Sequence, residues 1–393
     1  MPSDSIHIDR VKLKDLPALA TAAVDGAAPG TFIPITKPRA AAQTHNPYAE
    51  PGDIALLLAK EGQRNIGYFG LMPVMLQHAG RLHKVYWLTT WAVAPGYLGK
   101  GLGSRLMEAA IALDVDLVIV GSKPARRVSA KYGFDEVKSL DFVQLDLGLA
   151  GRYNPISLVL RLLRKALSFF KLRLKFDRID NAAARFFDLL FSPLARPLFL
   201  RQVAAKTGAA ASMVRVEQVD QVHPMSSDST EGTRFHRGVE VVNWMLAYPW
   251  VLPSGRSESE DLDYAFTDAR PGFAVTGWQV FSSSGERLGF ICFQSSRIRG
   301  RQVLKVLDYQ IVPAAPAGLL LALAAQQGRR LGADLIEGPL ELAAPLGGGW
   351  LAKLLVRRRQ RVCQVHPRGA DSPLGRAWPE LRQSYVDGDM AFT

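Results

Sequence analysis

The 393-residue sequence predicts a mixed α/β fold, α+β in the sense of one mixed sheet, built as two similar units joined by a basic helical segment. Three observations predict it. Residues 1–147 read as strands followed by strand–helix–strand–helix–strand, the order of a mixed sheet with crossover helices. Residues 213–393 repeat that order of elements with little sequence identity. Between the two, the alternating pattern gives way to helical periodicity. The expected units are therefore 1–147, 148–212 and 213–393.

In the first unit, Ile6–Leu13 is a strand and Asp15–Val24 a helix capped by Asp15. A Pro/Gly/Ala-rich loop follows, to about Gly52. Ile54–Lys60 and Ile66–Leu76 are strands joined at Glu61–Asn65, and His83–Val93 is a strand rich in aromatic and β-branched residues. Leu102–Leu113 is helical, Leu117–Val120 a short buried strand, Pro124–Tyr132 helical and Glu136–Leu147 a closing strand.

From Ser157, polar residues fall at 157, 161, 164, 168, 171, 175 and 178, which is one stripe of a helix. The stripe carries Arg161, Arg164, Lys171, Lys175 and Arg178 against a Leu/Phe face. A second helix, Asn181–Phe191, is stopped by Pro193 and Pro197. Twelve Lys/Arg oppose three acids between Gly151 and Lys206, so this segment holds nine of the chain's formal +12 charges. Two readings stay open: a helical hairpin with its stripe in water, or peripheral contact of 151–206 with an anionic membrane. Charge gathered in one segment, without base-reading partners, argues against a nucleic-acid partner.

In the last unit, Phe235–Leu246 is helical, and Phe273–Ser282 with Arg287–Ser296 forms a hairpin about Ser283–Gly285. Gln302–Val312 is a strand, Ala317–Leu331 a helix ended by Gly332, and Asp334–Gly338 a short strand. Trp350–Arg359 reads as a helix, and Val362–His366 and Tyr385–Thr393 as strands. Asp308, Glu337 and Glu341 are expected in solvent, the alternative being a cleft.

At 48% apolar and 21% charged the composition is that of a globular protein. The N-terminus lacks the apolar core of a signal peptide, and no apolar run is long enough to span a bilayer. The two cysteines, Cys292 and Cys363, lack metal-ligand spacing, so no metal is expected. The expected location is cytoplasmic, or membrane-peripheral if the basic stripe meets lipid.

The chemistry-bearing stretch is Trp91-Ala-Val-Ala-Pro-Gly-Tyr-Leu-Gly-Lys-Gly-Leu-Gly-Ser-Arg-Leu106. A strand ends at Val93–Pro95, and Gly99, Gly101 and Gly103 open a helix. Such glycines bring backbone N–H groups close to a ligand, and the helix start adds unpaired donors and partial positive charge. The place suits a pyrophosphate. Lys100 and Arg105 add formal charge nearby. The spacing is neither Walker A nor G-x-G-x-x-G.

This stretch resembles the cofactor motif of the GNAT acetyltransferases, a strand ending in Val-x-Pro followed by (Arg/Gln)-x-x-Gly-x-(Gly/Ala). Val93, Pro95, Gly101 and Gly103 match, with Leu98 at the Arg/Gln position. Ser122-Lys-Pro-Ala-Arg-Arg-Val-Ser-Ala-Lys-Tyr-Gly-Phe134 resembles the family's second motif. There Ala125 and Gly133-Phe134 match, Ser122 replaces an Asn and Ser129 a Tyr.

The resemblance implies a splayed pair of parallel strands, His83–Val93 and Leu117–Val120, with the arm of acetyl-CoA or another acyl-CoA between them. Backbone groups at Ala92 and Val93 would hold the arm and the acyl carbonyl. Those of Leu98, Gly99, Lys100, Gly101, Leu102, Gly103 and Ser104 would hold the pyrophosphate. Ser129 stands where the family's thiolate-protonating Tyr would be, with Tyr132 as a substitute. His83, Thr89 and Thr90 lie on the strand where a base would sit. The implied reaction is direct acyl transfer to an amine of a small metabolite or sugar.

In the last unit the corresponding turn, Val312-Pro-Ala-Ala-Pro-Ala-Gly-Leu319, has lost the glycine series, and its prolines donate no N–H. This copy is therefore expected to be degenerate. Tandem proteins of this kind often use the second copy for substrate. The alternatives are a non-catalytic acyl-CoA sensor or scaffold, and a Fem-type aminoacyltransferase of envelope or polysaccharide assembly.

Overall fold

A computed structural model describes residues 6–147, 186, 197–208, 210–223, 232–253, 257–369, 372, 375 and 378–389. The basic helices expected from Ser157 to Arg178 and from Asn181 to Phe191 lie outside these residues, except for helical Phe186. Residues 197–207 are helical.

The first unit supplies β1 (His7–Lys12), α1 (Leu16–Val24), α2 (Lys37–Thr44), β2 (Ile54–Glu61), β3 (Arg64–His78), β4 (Arg81–Val93), α3 (Leu102–Ile111), β5 (Leu117–Ile119), α4 (Lys123–Lys131) and β6 (Asp135–Asp146). The second supplies β7 (Val214–Val219), β8 (Thr233–Phe235), α5 (Val239–Ala247), β9 (Leu252–Pro253), β10 (Ala269–Arg270), β11 (Ala274–Ser282), β12 (Arg287–Ile298) and β13 (Arg301–Ile311). It closes with α6 (Leu319–Arg330), β14 (Leu335–Pro339), α7 (Trp350–Leu355), β15 (Val356–His366) and β16 (Leu381–Arg382).

Fourteen of these strands form one mixed sheet, whose main path runs β1-β2-β3-β4-β5-β15-β6-β14-β13-β12-β11-β7. The path is symmetric about its centre. In each half a run of antiparallel strands ends in a parallel pair, β4 with β5 and β13 with β14. The closing strands are exchanged between the units. β15 of the second lies against β5 of the first, and β6 of the first lies against β14 of the second. The two exchanged strands then pair with each other from Val356–Leu145 to Val365–Asp135.

This exchange corrects the sequence reading of Trp350–Arg359 as a helix, because α7 ends at Leu355 and Val356 begins the strand. Arginine favours helices, but pairing along β6 outweighs that weak preference. Other elements also differ from expectation. The loop before Gly52 contains α2, whose buried Arg39 and Gln43 hide its amphipathic pattern. The helix expected at Phe235–Leu246 starts at Val239, after strand β8. The described part of Tyr385–Thr393, up to residue 389, is turn rather than strand.

Apolar residues fill both faces of the sheet. On one face α3 buries Leu102, Leu106, Met107 and Ala110 against Phe69, Leu88 and Ile119. α6 does the same in the second half, burying Leu321 and Ala324 against Leu304 and Ile336. Each fully buried Leu, Ile or Phe contributes roughly 1.5–3 kcal/mol, so these faces hold each half together. A central cluster on the other face joins Trp87 and Val118 of the first unit to Trp244, Leu307, Trp378 and Val386 of the second. Asp146, almost wholly buried on β6, bridges Arg301 (2.6 Å) on β13 and Arg357 (3.2 Å) on β15.

Candidate functional site

β4 and β5 pair from Tyr86–Leu117 to Leu88–Ile119, after which β5 ends and β4 continues to Val93. The two strands splay there. At the same level β4 bulges, with Thr89 and Thr90 together opposite Gly70. A Cβ at Gly70 would collide with both threonine hydroxyls, so the bulge requires glycine. Bulges of this kind re-aim backbone groups beside a site. Thr89 Oγ1 is buried without a hydrogen-bond partner at this point.

Past Val93 the chain makes one turn of 3-10 helix, Pro95–Tyr97, and reaches an exposed, extended Leu98. Gly99 and Gly101 both adopt φ +78°, where L side chains are strained. A Cβ at either would meet no atom within 4 Å, so the approach to the turn is open. Gly101 caps α3, whose first turn bond is Arg105 N–H to Gly101 O at 3.1 Å. The N–H groups of Gly101, Leu102, Gly103 and Ser104 find no acceptor among the described residues. Four free donors at the positive end of a helix, reached through open space, fit a pyrophosphate. The splay and the bulge fit the rest of an acyl-CoA.

The side chains around the turn are occupied locally. Lys100 lies exposed over the Tyr97 ring, and the Tyr97 hydroxyl donates to Glu61. Arg105 Nη2 donates to the Ile6 carbonyl at 2.8 Å, so its charge is held against the N-terminal strand. Gly103 backs onto Trp91, whose ring would stand 3.2 Å from a Cβ there.

The structure does not bring the three proposed catalytic side chains together. Ser129 is fully buried, and its Oγ donates to Gln364 Oε1 on β15 at 2.7 Å. Tyr132 donates to Glu108 Oε1 on α3 at 2.9 Å. His83 pairs with Leu76 near the start of β4, before the first β4–β5 pair. At about 3.3 Å per residue it stands some 30 Å along the strand from Val93. Ala92 and Val93 do lie on the splayed end, where the resemblance placed them. Gln364 is the residue the sequence concealed, because it belongs to the other unit.

The second half repeats this geometry and closes it. β13 bulges at Leu307–Asp308 opposite Cys292, just past its last pair with β14, Lys305–Glu337. Gly318 caps α6 at φ +76°, as Gly101 caps α3. Here a Cβ would stand 2.9 Å from Thr207 and 3.5 Å from Pro345, so the approach is filled. The Tyr309 N–H, next to the bulge, donates to Asp308 Oδ1 at 2.8 Å.

Two acids expected in solvent are buried instead. Glu337 accepts from Gln144 Nε2 at 2.6 Å and from the Tyr385 hydroxyl. Asp308 pairs with Arg237 at 3.0 Å, and Arg237 reaches Asp387 at 3.5 Å. Burial pushes the Asp387 carboxyl up to about 6, against the pull of Arg237. Burial also lowers the Lys305 ammonium to about 8 despite the nearby Glu337. Glu341 is exposed, as expected. Among the described residues no cluster of His, Cys, Asp and Glu could hold a metal ion, and no helix is long and apolar enough to cross a membrane.

The Acetyltransferase (GNAT) family model matches residues 29–134, which span α2 to α4 and include the open glycine turn. Among solved structures, the chain is similar to a GCN5-related N-acetyltransferase from Anabaena variabilis. That match has 12% identity over 93% of this chain and 73% of the other, with a TM-score of 0.44. It is also similar to a conserved protein of unknown function from Enterococcus faecalis, a probable N-acyltransferase, at 10% identity, 92% and 73% coverage and a TM-score of 0.44. A third is N-myristoyltransferase from Saccharomyces cerevisiae with bound myristoyl-CoA, at 10% identity, 92% and 82% coverage and a TM-score of 0.42. No curated protein matches the chain.

Proposed function

We propose, from the match of residues 29–134 to the acetyltransferase (GNAT) family model, that the chain moves an acetyl or other short acyl group from acyl-CoA to an amine of a small metabolite or sugar. The observation that carries this reading is the first glycine turn. It presents the free N–H groups of 101–104 through open space, while its second-half counterpart is blocked by Thr207 and Pro345. One site per chain follows.

The bound thioester supplies an activated acyl carbon with a fair leaving group. The chain supplies the rest. The donors of α3 hold the pyrophosphate, and backbone groups at the Thr89–Thr90 bulge and at Ala92–Val93 hold the arm and polarise the acyl oxygen. The acceptor nitrogen bonds to the acyl carbon as the carbon–sulfur bond breaks. Its proton would then leave to a base, and the departing thiolate would take up one proton from solvent to end as a thiol. Because the Ser129 and Tyr132 hydroxyls already donate to Gln364 and Glu108, neither is assigned as the acid that protonates sulfur.

Those same two hydrogen bonds favour a second reading, an acyl-CoA sensor that binds without turnover. Calorimetry with acetyl-CoA followed by thiol-release assays over an amine panel separates the two. Binding with turnover on any amine supports the transferase, whereas binding without turnover on all of them favours the sensor. No binding at millimolar cofactor overturns both. We further propose a cytoplasmic enzyme, peripheral to anionic membrane if 151–206 meets lipid. Co-sedimentation with anionic liposomes at low salt tests this, and a protein left in the supernatant excludes the membrane contact.

A further inference from the structure

The extra residue of the Thr89–Thr90 bulge lies in β4, so β3 keeps its alternation. Tyr68, Gly70 and Met72 therefore share one face of the sheet, while Phe69 and Leu71 lie on the α3 face. A Cβ at Gly70 would collide with both threonine hydroxyls, so these stand on the Tyr68–Met72 face, opposite α3. From Trp87 to Ala92, a length of about 16 Å, that face of β4 is flanked by two apolar clusters. Trp87 and Met72 belong to one, with Trp250, and Ala92 and Tyr68 to the other, with Ala40 of α2. Arg39, beside Ala40, lays its guanidinium over the Trp250 ring at 3.9 Å and so spans the gap between the clusters. The C-terminal turn closes the Trp87 end, where a Cβ at Gly388 would collide with that ring and Asp389 follows.

Two polar groups in this space lack partners. Arg39 is 6% exposed, and its Nη2 finds no hydrogen-bond acceptor among the described residues. Thr89 Oγ1, buried on β4, is in the same state. A guanidinium shielded from water is costly unless an anion or hydrogen-bond acceptor meets it. Two carboxylates lie within electrostatic reach, and neither is a dedicated counter-ion. Burial raises the Asp389 carboxyl, against the pull of Arg39, Arg361 and Lys305 together. Burial also raises the Tyr68 phenol, with Tyr264 and Asp263 adding to the rise and Arg39 opposing it. The charge of Arg39 thus reaches Tyr68, which pairs with Ala92 at the splayed end of β4.

We propose that Arg39 binds a carboxylate of the acceptor, so that the acceptor is an amino acid rather than a plain amine; calling that ligand the acceptor rests on the acyl-transfer reading above. A carboxylate matches the planar fork of a guanidinium and supplies the anion that Arg39 lacks. A phosphate dianion fits less well, because Asp389 and Asp263 repel a second negative charge. Held at Arg39, the molecule lies on the face that carries the Thr89 and Thr90 hydroxyls, and its amino group, once neutral, is the nucleophile. An acceptor without a carboxylate leaves the buried guanidinium unmet, which is what makes such a site selective.

The test is calorimetry on the full chain, with and without CoA, using L-alanine, L-phenylalanine and 4-aminobutyrate, each beside its own primary amide, and 2-aminoethyl phosphate. At least one acid is expected to bind at least tenfold more tightly than its amide and than the phosphate. Arg39→Gln is expected to erase that preference with acetyl-CoA affinity unchanged. Arg39→Lys keeps the charge without the fork; it is expected to reduce the preference, and it keeps the test available should Arg39→Gln fail to fold. No preference of any acid over its amide, a preference for the phosphate, or an undiminished preference in a folded variant overturns the proposal. Equal weakening of acid and amide in Arg39→Gln also overturns it, by leaving Arg39 a structural role. Failure of the unsubstituted chain to bind acetyl-CoA is a separate result that overturns the transferase reading and leaves the acid–amide comparison interpretable.

Discussion

Ser129 and Gln364 are 235 positions apart in sequence, and their side chains meet at 2.7 Å, fully shielded from solvent, where β15 of one unit lies under α4 of the other. The contact ties α4 of the first unit to a strand of the second. Gln364 also donates to the Arg126 carbonyl at 3.5 Å, so its amide holds the helix at two points.

Ser129→Ala removes the donor and leaves the buried Gln364 oxygen without one. The expected cost is about 1–2 kcal/mol of stability, read from urea unfolding. Turnover is expected to fall by less than about threefold, because the hydroxyl already donates to Gln364. A hundredfold loss of kcat in a normally folded variant would return Ser129 to the role of acid.

Gly101→Val forces a β-branched residue to φ +78° and fills the approach to the free N–H groups. Strain of about 1–3 kcal/mol and at least a tenfold loss of acetyl-CoA affinity are expected. Gly96→Ala is the control, since a Cβ there meets open space and its φ is not positive. Its affinity should match the parent chain.

Asp146→Ala strips the carboxylate from two guanidiniums drawn from two different strands. Breaking a buried pair in this way costs about 3–5 kcal/mol. Because the lost contacts span the exchanged strands, the two halves are expected to weaken together, as a single cooperative transition at lower urea. A surviving transition at the original midpoint would show that the exchange does not couple them.

Asp387 sets a pH dependence of stability. Burial raises its native carboxyl to about 6, above the ordinary value of 3.8, so the native state binds the proton more tightly than the unfolded chain. Stability from this group is therefore greatest below about pH 4 and declines as pH rises through 6, by on the order of 3 kcal/mol. Asp387→Asn should remove that decline while keeping the hydrogen bond from Ser384 N–H. Unfolding free energies between pH 4 and 7 check it, and parallel profiles for the two proteins would contradict the assignment.

What could be read from the sequence follows from how local each signal is. The Val93–Pro95 strand end and the glycines at 99, 101 and 103 form one continuous stretch, so the turn and α3 appear where the pattern placed them. The Asp308 and Glu337 carboxylates were misplaced because their partners, Arg237 and Tyr385, are distant in sequence. Only the first half of β15, read as part of a helix, was hidden, for a related reason. Its arginine-rich start resembles a helix until β6 and β5 are there to pair with it. The contact of Gln364 with Ser129 could not be read without that exchange.

The most direct test is the stoichiometry of acetyl-CoA binding by calorimetry on the full chain. One equivalent per chain is predicted, lost in Gly101→Val and kept in Gly96→Ala. Two equivalents, or one equivalent bound with parental affinity by Gly101→Val, would contradict a single acyl site at the start of α3.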